Sequence, residues 1–543
     1  MFPTRLRITL GSLTVAKAIH LYCTETTEDQ INATTTTAHC LSASTNNPLQ
    51  AIQDQQTIHD CLVIGGGVVG LAVGRELAVR GHSVLLLEKT NAICTGASSG
   101  NSGIGCTGYD APEGSIERKL LRRSILRHPN LYRSLGLGYR HINKCGALVV
   151  AWKQDELHNL QHVLDENVQA GDTESCILNQ TELLEMEPSL NQLEPPLGAV
   201  HAPREMVTEP WLVPIAYANS MLLNGGQIRV HSEVIGAELK TNTDTENTEN
   251  TENTENTENR KKVWHVKLAD GDVVRARTIF NCAGLFGDLL EKEILGKTRF
   301  NIFPRKGQFV IYAPLKEKDS INTIIEPVPT LRTKGVIVWK SVYGNIISGP
   351  TAEEQSSRSD RSNTVEVIEM LKRHAEKVLP QLKGHQIVGT YSGIRPASEY
   401  RDYQISINRA KQWVTVGGIR STGLTAASGI SEYVTDLYEN QENEIHSETV
   451  LPPYLPSLPL QNMDAVPNPP APSLQELSSD FYARNDGTVS VFGKSWQVTH
   501  PLSSIGMETM GKLYPPKRKK EETLPQYKVR YEQWKRKSSK VYT

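Results

Sequence analysis

The sequence predicts an α/β chain, α+β overall, organised on a βαβ unit near its start. Three observations predict it. Between Asp60 and Lys89 an apolar run, Cys61 to Ile64, enters a cluster in which Gly65, Gly67 and Gly70 stand in G-x-G-x-x-G register. A helix-compatible stretch follows from Val68 to about Arg80, Gly81-His82 breaks it, and Ser83 to Leu87 reads as a second buried strand ending in Glu88. Much later, Trp413 to Val416 runs through glycines into a second helix, about Ala426 to Tyr438. In such a unit the three glycines serve separate ends. One allows a tight turn, one lets backbone N–H groups approach a pyrophosphate closely, and one lets helix pack close on strand. The partial positive charge at a helix start favours a phosphate there. Glu88, 18 residues past Gly70, stands where a carboxylate accepts hydrogen bonds from ribose hydroxyls. The expectation is therefore a Rossmann-like dinucleotide site.

Composition excludes several other classes. The 543 residues are 38% hydrophobic and 22% charged, as in ordinary globular proteins, and long enough for two or more domains. A formal net charge of -2 offers no electrostatic footprint for nucleic acid, so no nucleic-acid partner is expected. No apolar run reaches the roughly 20 residues of a transmembrane segment. Eight cysteines contain no C-x-x-C, which supports neither a zinc site nor a disulfide framework, suits a reducing compartment and leaves no metal site expected. Residues 1–56 read as a presequence or disordered tail. Met1 to Thr24 holds Arg5, Arg7 and Lys17 with no acid, a composition of mitochondrial type, with a cytoplasmic location as the alternative.

In chain order, Gly96 to Gly103 reads as a loop rich in small donors. Ser115 to Arg127 and Pro210 to Asn224 read as helices, and Gly146 to Trp152 as a strand. Thr181 to Glu187 reads as a short helix capped by Thr181 and stopped by Pro188. Gln227 to His231 and Val234 to Leu239 alternate as strands. Five Thr-Glu-Asn copies, Thr245 to Asn259, have nothing apolar to bury and are expected to form a disordered insert, 241–262, between two strands. Strand character resumes at Val263 to Leu268, Val273 to Arg277 and Thr278 to Gly284, then at Phe309 to Tyr312 and Val336 to Lys340. Asn363 to Val378 has helical periodicity. Residues 441–478 include a stretch with eight prolines, a semi-stiff linker. A small segment, 479–543, has a hairpin expected at Asp486-Gly487 and a basic tail offering a membrane-surface or partner contact.

With these pieces placed, the chain resembles the FAD-dependent oxidoreductases of the D-amino-acid-oxidase-like superfamily, in the branch of L-2-hydroxyglutarate and glycerol-3-phosphate dehydrogenases. The likeness spans about residues 58 to 440. It rests on the glycine motif with Glu88, Ser99-Gly-Asn-Ser-Gly103, Asn281-Cys-Ala-Gly-Leu-Phe-Gly-Asp288, Lys306-Gly-Gln308, Gly344-Asn-Ile-Ile-Ser-Gly-Pro-Thr-Ala352, Gly393-Ile-Arg-Pro396 and Gly418-Ile-Arg-Ser-Thr-Gly-Leu-Thr425. The resemblance implies an FAD-binding domain, about 57–150, 205–295 and 385–440. It also implies a discontinuous substrate domain on a mainly antiparallel sheet, about 145–205 and 296–390.

The resemblance also implies roles. Gly65, Gly67 and Gly70, with Val68 and Val69, hold the FAD pyrophosphate. Glu88 holds the adenosine ribose, with Lys89 beside it. Ser99, Asn101, Ser102 and Gly103 lie along the middle of the cofactor. Val234 meets the adenine, Ala283-Gly284 closes over the dinucleotide, and Gly418, Ile419, Ser421, Gly423, Leu424 and Thr425 approach the flavin's pyrimidine end. The activity implied is transfer of a hydride from a small anionic 2-hydroxy acid, 2-hydroxyglutarate type, to flavin N5. The alternatives are a glycerol-3-phosphate or amino-acid donor, and FAD binding without turnover. A planar guanidinium suits such an anion, and Arg395 is the first choice, with Arg420 as a second clamp and Lys306 either over the flavin or bridging two strands. No general base is singled out among His141, His201 and His231. Relatives in this branch show a histidine where this chain has Cys106. The electron acceptor, whether quinone, partner flavoprotein or oxygen, stays open.

Overall fold

The computed structural model describes residues 57–241 (without 136 and 138–141), 262–440 (without 330–334) and parts of 481–532. The expected presequence (1–56), the Thr-Glu-Asn insert, the Pro-rich linker, His141 and most of the basic tail lie outside the described residues.

The first sheet grows from the predicted unit. Strand β1 (Ile58–Ile64) passes through the glycine turn into helix α1 (Val68–Val79), which returns to β2 (Val84–Leu87), parallel to β1. Helix α1 is buried nearly all round, so it carries no polar face and reads weakly as amphipathic. Small residues let neighbours close on it: a Cβ on Gly74 would lie 2.7 Å from Met221 Sδ of the helix Leu212–Leu223. Leu71 and Leu77 are fully buried, each worth about 1.5–3 kcal/mol over an exposed position.

Strand β3 (Val273–Asn281) lies beside β1 along its whole length, from Ile58↔Arg275 to Ile64↔Asn281. On its other edge the sheet forks. The first half of β3 pairs antiparallel with Lys262–Leu268, and the second half pairs parallel with β4 (Trp413–Gly417). Trp264 closes the fork: its ring meets Trp413 edge-on at 5.9 Å and its Nε1 donates to Lys411 O. From β4 the chain enters α2 (Gly423–Glu439), which packs on α1. Thus β1, β2, β3 and β4 run parallel and end on one edge.

The second sheet is mainly antiparallel, as expected, with one parallel pairing between Ile324–Pro327 and Ala147–Ala151. Its longest strands, Ile302–Tyr312 and Ile387–Ser398, pair from Ile302↔Ser398 to Tyr312↔Ile387. Hence Ile387–Ser398, assigned from the sequence to the FAD-binding part, belongs by its pairing to the second sheet.

Three local expectations shift. The short helix is Gln180–Met186, and its cap is Asn179, whose Oδ1 accepts from Thr181 N and Glu182 N; Thr181 is inside it. Helix α2 begins at Gly423, three residues before Ala426, because the glycines there turn directly into it. The C-terminal hairpin pairs Thr488–Val491 with Lys494–Gln497, so Asp486-Gly487 lies before its first strand. Asp486 instead leads in, its Oδ1 accepting from Thr488 N at 2.8 Å. Among the described residues no helix is long and apolar enough to cross a membrane.

Candidate active site

A cleft of about 600 Å³ opens where the four parallel strands end, and the second sheet forms its floor. Ligands sit outside the carboxyl ends of parallel strands because the following turns present free backbone amides there. Each strand contributes its own turn. Gly65, Gly67, Val68, Val69 and Gly70 follow β1, Glu88 and Lys89 follow β2, Ala283 and Gly284 follow β3, and Ile419 to Thr425 follow β4.

The glycines differ in what they do. Gly65 has φ +113°, and a Cβ there would meet Cys282 O at 2.4 Å. A Cβ on Gly70 would lie 2.0 Å from Gly65 O. Around Gly67 only Ser98 Oγ comes near, at 3.3 Å, and nothing lies within 4 Å of a Cβ built on Gly284. The first pair makes the turn possible, whereas Gly67 has only one hydroxyl close to it and Gly284 faces open space.

Glu88 is buried and its carboxylate shapes the turn. Oε2 accepts from Gly66 N at 2.8 Å, and Oε1 accepts from Thr90 N and Thr90 Oγ1, both at 2.9 Å. That uses three of roughly four acceptor positions and leaves capacity for a ribose hydroxyl. Lys89 Nζ lies 3.5 Å over the Phe286 ring at the cleft wall, and Val234 lines the same wall. At the other wall stands the N-terminus of α2. Its cap residue Thr422 makes no capping bond, because its hydroxyl donates to Glu117 Oε1 at 2.6 Å. The first-turn amides thus face the cleft without a side-chain cap, and they favour negative charge there. Glycine-turn amides, a ribose-side carboxylate and an anion-favouring helix end fit FAD along one cleft.

Asn101, Ser102 and Cys106 line the cleft; Ser99, Gly103 and Gly418 do not, and shape its walls from behind. Gly103, at φ +75°, packs on Thr208 O, and Ser99 is held by Arg361 Nη1. Cys106 N donates to Thr425 Oγ1 at 3.2 Å, and His128 Nε2 pairs with Thr425 O at 2.9 Å from below.

The floor carries Arg395. On the neighbouring strand Gly307, two residues along from its register partner Arg305, makes the room, since a Cβ on Gly307 would lie 2.4 Å from Arg395 Nη2. Nη2 donates to Thr351 O at 2.8 Å, and no carboxylate ion pair with it is found among the described residues. Burial, with Arg305 and Arg420 nearby, pushes its guanidinium down to about 10, so it remains a cation at neutral pH. Arg420 lines the cleft, but its Nη1 is bound to Glu117 Oε2 at 3.1 Å, so part of its fork is already committed.

Lys306 is a correction. It neighbours Gly307, but strand alternation turns it to the opposite face, where Nζ binds Asp360 Oδ2 and Ser362 O, each at 3.1 Å. It does not line the cleft. His201 and His231 do not line it either. The titratable group missed from the sequence is Glu326, buried in the floor strand Ile324–Pro327, lining the cleft and accepting from Tyr109 OH at 3.2 Å. Its signal was a lone acid inside an apolar run, Thr323 to Pro327.

A parallel sheet with a glycine-lined dinucleotide cleft, floored by a mainly antiparallel sheet bearing a half-buried arginine, defines a flavin-linked oxidoreductase. Residues 60–437 match the model of the DAO family, FAD dependent oxidoreductase, and the chain belongs to that family. Its cofactor is FAD. The chain is similar to a glycerol 3-phosphate dehydrogenase of Caloramator mitchellensis, 28% identical over 74% of this chain and 78% of that protein. It is also similar to a mitochondrial L-2-hydroxyglutarate dehydrogenase of Dictyostelium discoideum, 26% identical over 55% of this chain and 66% of that protein. A solved L-α-glycerophosphate oxidase of Mycoplasma pneumoniae with FAD bound shares the fold, with TM-score 0.61 and 24% identity over 70% of this chain and 95% of that one.

Proposed function

We propose that this oxidoreductase oxidises the secondary alcohol of a small anion, glycerol 3-phosphate first and an L-2-hydroxy acid such as L-2-hydroxyglutarate second. The observation that carries it is Arg395, a half-buried cation lining the cleft floor, for which no ion-pairing carboxylate is found among the described residues. The longer match to the glycerol 3-phosphate relative supports the first donor, and the Dictyostelium relative supports the second.

Bound FAD supplies the two-electron acceptor. Arg395 grips the phosphate or carboxylate, and its fixed fork orients the carbinol carbon. Glu326 is the proton acceptor we assign, the carboxylate that reaches the cleft from the floor among the described residues. Glu326 would take the hydroxyl proton as the carbinol carbon is oxidised to a carbonyl, while Arg395 holds the anionic end in place. The first-turn amides of α2 would favour negative charge at that wall of the cleft. Lys89, Gly65 and Val234 serve the adenosine half, away from this chemistry.

Anaerobic mixing of the purified holoenzyme with glycerol 3-phosphate, L-2-hydroxyglutarate and a panel of amino acids tests the proposal. Bleaching of the flavin band by one of the first two is expected. Bleaching by an amino acid alone would replace the alcohol reading, and bleaching by dithionite only would leave FAD binding without turnover. The acidless, basic composition of Met1 to Thr24 supports mitochondrial delivery, tested by where a fluorescent fusion of residues 1–56 accumulates.

A further inference from the structure

The chain continues past the family-matched stretch, and its far segment returns to the loop in front of the cofactor cleft. This segment is packed into the body. Phe481 lies against Trp211 with ring centroids 4.4 Å apart, Val489 and Leu502 are buried, and Gly506 sits so flat on Tyr343 that a Cβ there would come within 2.7 Å of the ring.

Between the hairpin and the helix Leu502–Met510, two side chains reach the loop from Cys94 to Gly103. Thr499 Oγ1 donates to Cys94 O at 3.0 Å. His500, 2% exposed, has both ring nitrogens engaged: Nδ1 accepts from Leu502 N at 3.2 Å, so Nε2 carries the proton and donates to Asn101 O at 2.9 Å. Asn101 in turn folds the loop with its side chain, accepting from Gly103 N and donating to Ser98 O and Pro210 O. The His500 ring also meets Tyr391 edge-on, and Tyr391 stacks on Phe309, which lines the cleft.

We propose that the C-terminal segment is a brace for the cofactor loop, and that His500 is a positioning residue that sets Asn101 and Ser102 against bound FAD. A loop held in its binding geometry loses less entropy on taking up a ligand, so the brace shows itself in FAD affinity. The inference rests on the loop facing the cofactor.

The test uses the full chain stripped of FAD and titrated with it, following flavin fluorescence and the visible absorption band. His500→Ala is expected to weaken FAD binding about tenfold, the scale of one lost buried hydrogen bond, and to shift the flavin band. His500→Gln, which keeps an N–H donor at the Nε2 place, is expected to restore affinity and spectrum. An affinity for His500→Ala within about twofold of wild type would overturn the proposal, as would equal weakening by Ala and Gln. Should His500→Ala fail to fold, Thr499→Val is read in its place: weaker FAD binding supports the brace and unchanged affinity overturns it. A wild-type chain unable to take up FAD would be a different failure, that of the cofactor assignment.

Discussion

The two ends of the cleft are made differently. The dinucleotide end comes largely from one 30-residue stretch, where strand, turn, helix and strand follow in order and Glu88 returns to Gly66 at 2.8 Å. The end we propose for the substrate is assembled from places far apart in the chain: Cys106, Gly307, Glu326, Pro350 and Arg395 all line it. The first end is specified by backbone geometry, the second by which side chain each strand happens to turn inward. Substitutions at the first should therefore fail through the fold or the cofactor, and those at the second through turnover with the cofactor in place.

The largest effect expected lies at the first end, and it separates three glycines of one motif. Gly65→Ala and Gly70→Ala put a methyl group 2.4 Å from Cys282 O and 2.0 Å from Gly65 O, and Gly65 also sits at a φ that L residues rarely adopt. Both variants should purify poorly or without flavin, losing several kcal/mol, on the order of 3 or more, through clash and backbone strain. Gly67→Ala meets only Ser98 Oγ at 3.3 Å. It should fold with a melting temperature near wild type yet hold less FAD, as read from the flavin-to-protein absorbance ratio. Equal losses at all three would mean that Gly67 is a packing glycine too.

At the second end, Arg395→Ala should keep its flavin and lose about a hundredfold in kcat/KM, the worth of a charge-assisted hydrogen-bonded grip. Arg395→Lys should recover little of it because the fork is gone. Arg420→Ala, whose guanidinium is already tied to Glu117, should lose less turnover and more stability. A loss of flavin in Arg395→Ala would place that residue in the first end and erase the contrast.

How much of this was legible follows the same division. The βαβ unit was readable because every signal lies within a few residues of the next. The forked β3 was read as two successive strand stretches, while the fork itself depends on Trp264 meeting Trp413 from far along the chain, invisible to any local pattern. Arg395 was legible through its short Gly-Ile-Arg-Pro run. Lys306 was misread because nearness to Gly307 in sequence means the opposite face in a strand. Glu326 was passed over since an acid beside a proline in an apolar run looks like a strand end. His500 could not be found, because its partner Asn101 lies 399 residues earlier and only the fold brings them together.

Histidines behind the two walls allow a finer comparison. His128 sits beneath Thr425 at the start of α2, and His500 sits behind Asn101. Burial pushes both down to about 4. In the unfolded chain each titrates near 6.5, so the unfolded state binds more protons between those values and stability falls as pH drops from about 6.5 to 4. Each histidine is worth on the order of 3 kcal/mol across that window. Melting temperatures from pH 7.5 to 5 should decline, and His128→Gln and His500→Gln should each flatten the decline. If only His128→Gln flattens it, the C-terminal segment has parted from the body before the rest unfolds, and the two walls do not melt together.

The smallest effect expected concerns the Thr-Glu-Asn insert, which tests whether the first sheet is as locally specified as argued. The strands on either side, Val234–Thr241 and Lys262–Leu268, pair in register up to Thr241↔Lys262. The hairpin is therefore paired up to Thr241 and from Lys262, the end residues of the insert expected from the sequence, 241–262, and only residues 242–261 lie between them. Their inward side chains, Leu239 packed on a cluster that contains Trp264 and Val266, hold that register without help from the connection. Replacing residues 242–261 by Asn-Gly, the two-residue turn that matches the twist of such strands, shortens a 20-residue connection to two. Closing the shorter loop should cost about 2 kcal/mol less, so the variant should melt slightly higher, with FAD content and kcat unchanged. A lower melting temperature or lost flavin would mean that the repeat contributes contacts of its own, and that the cofactor end depends on more than the strands and turns that line it.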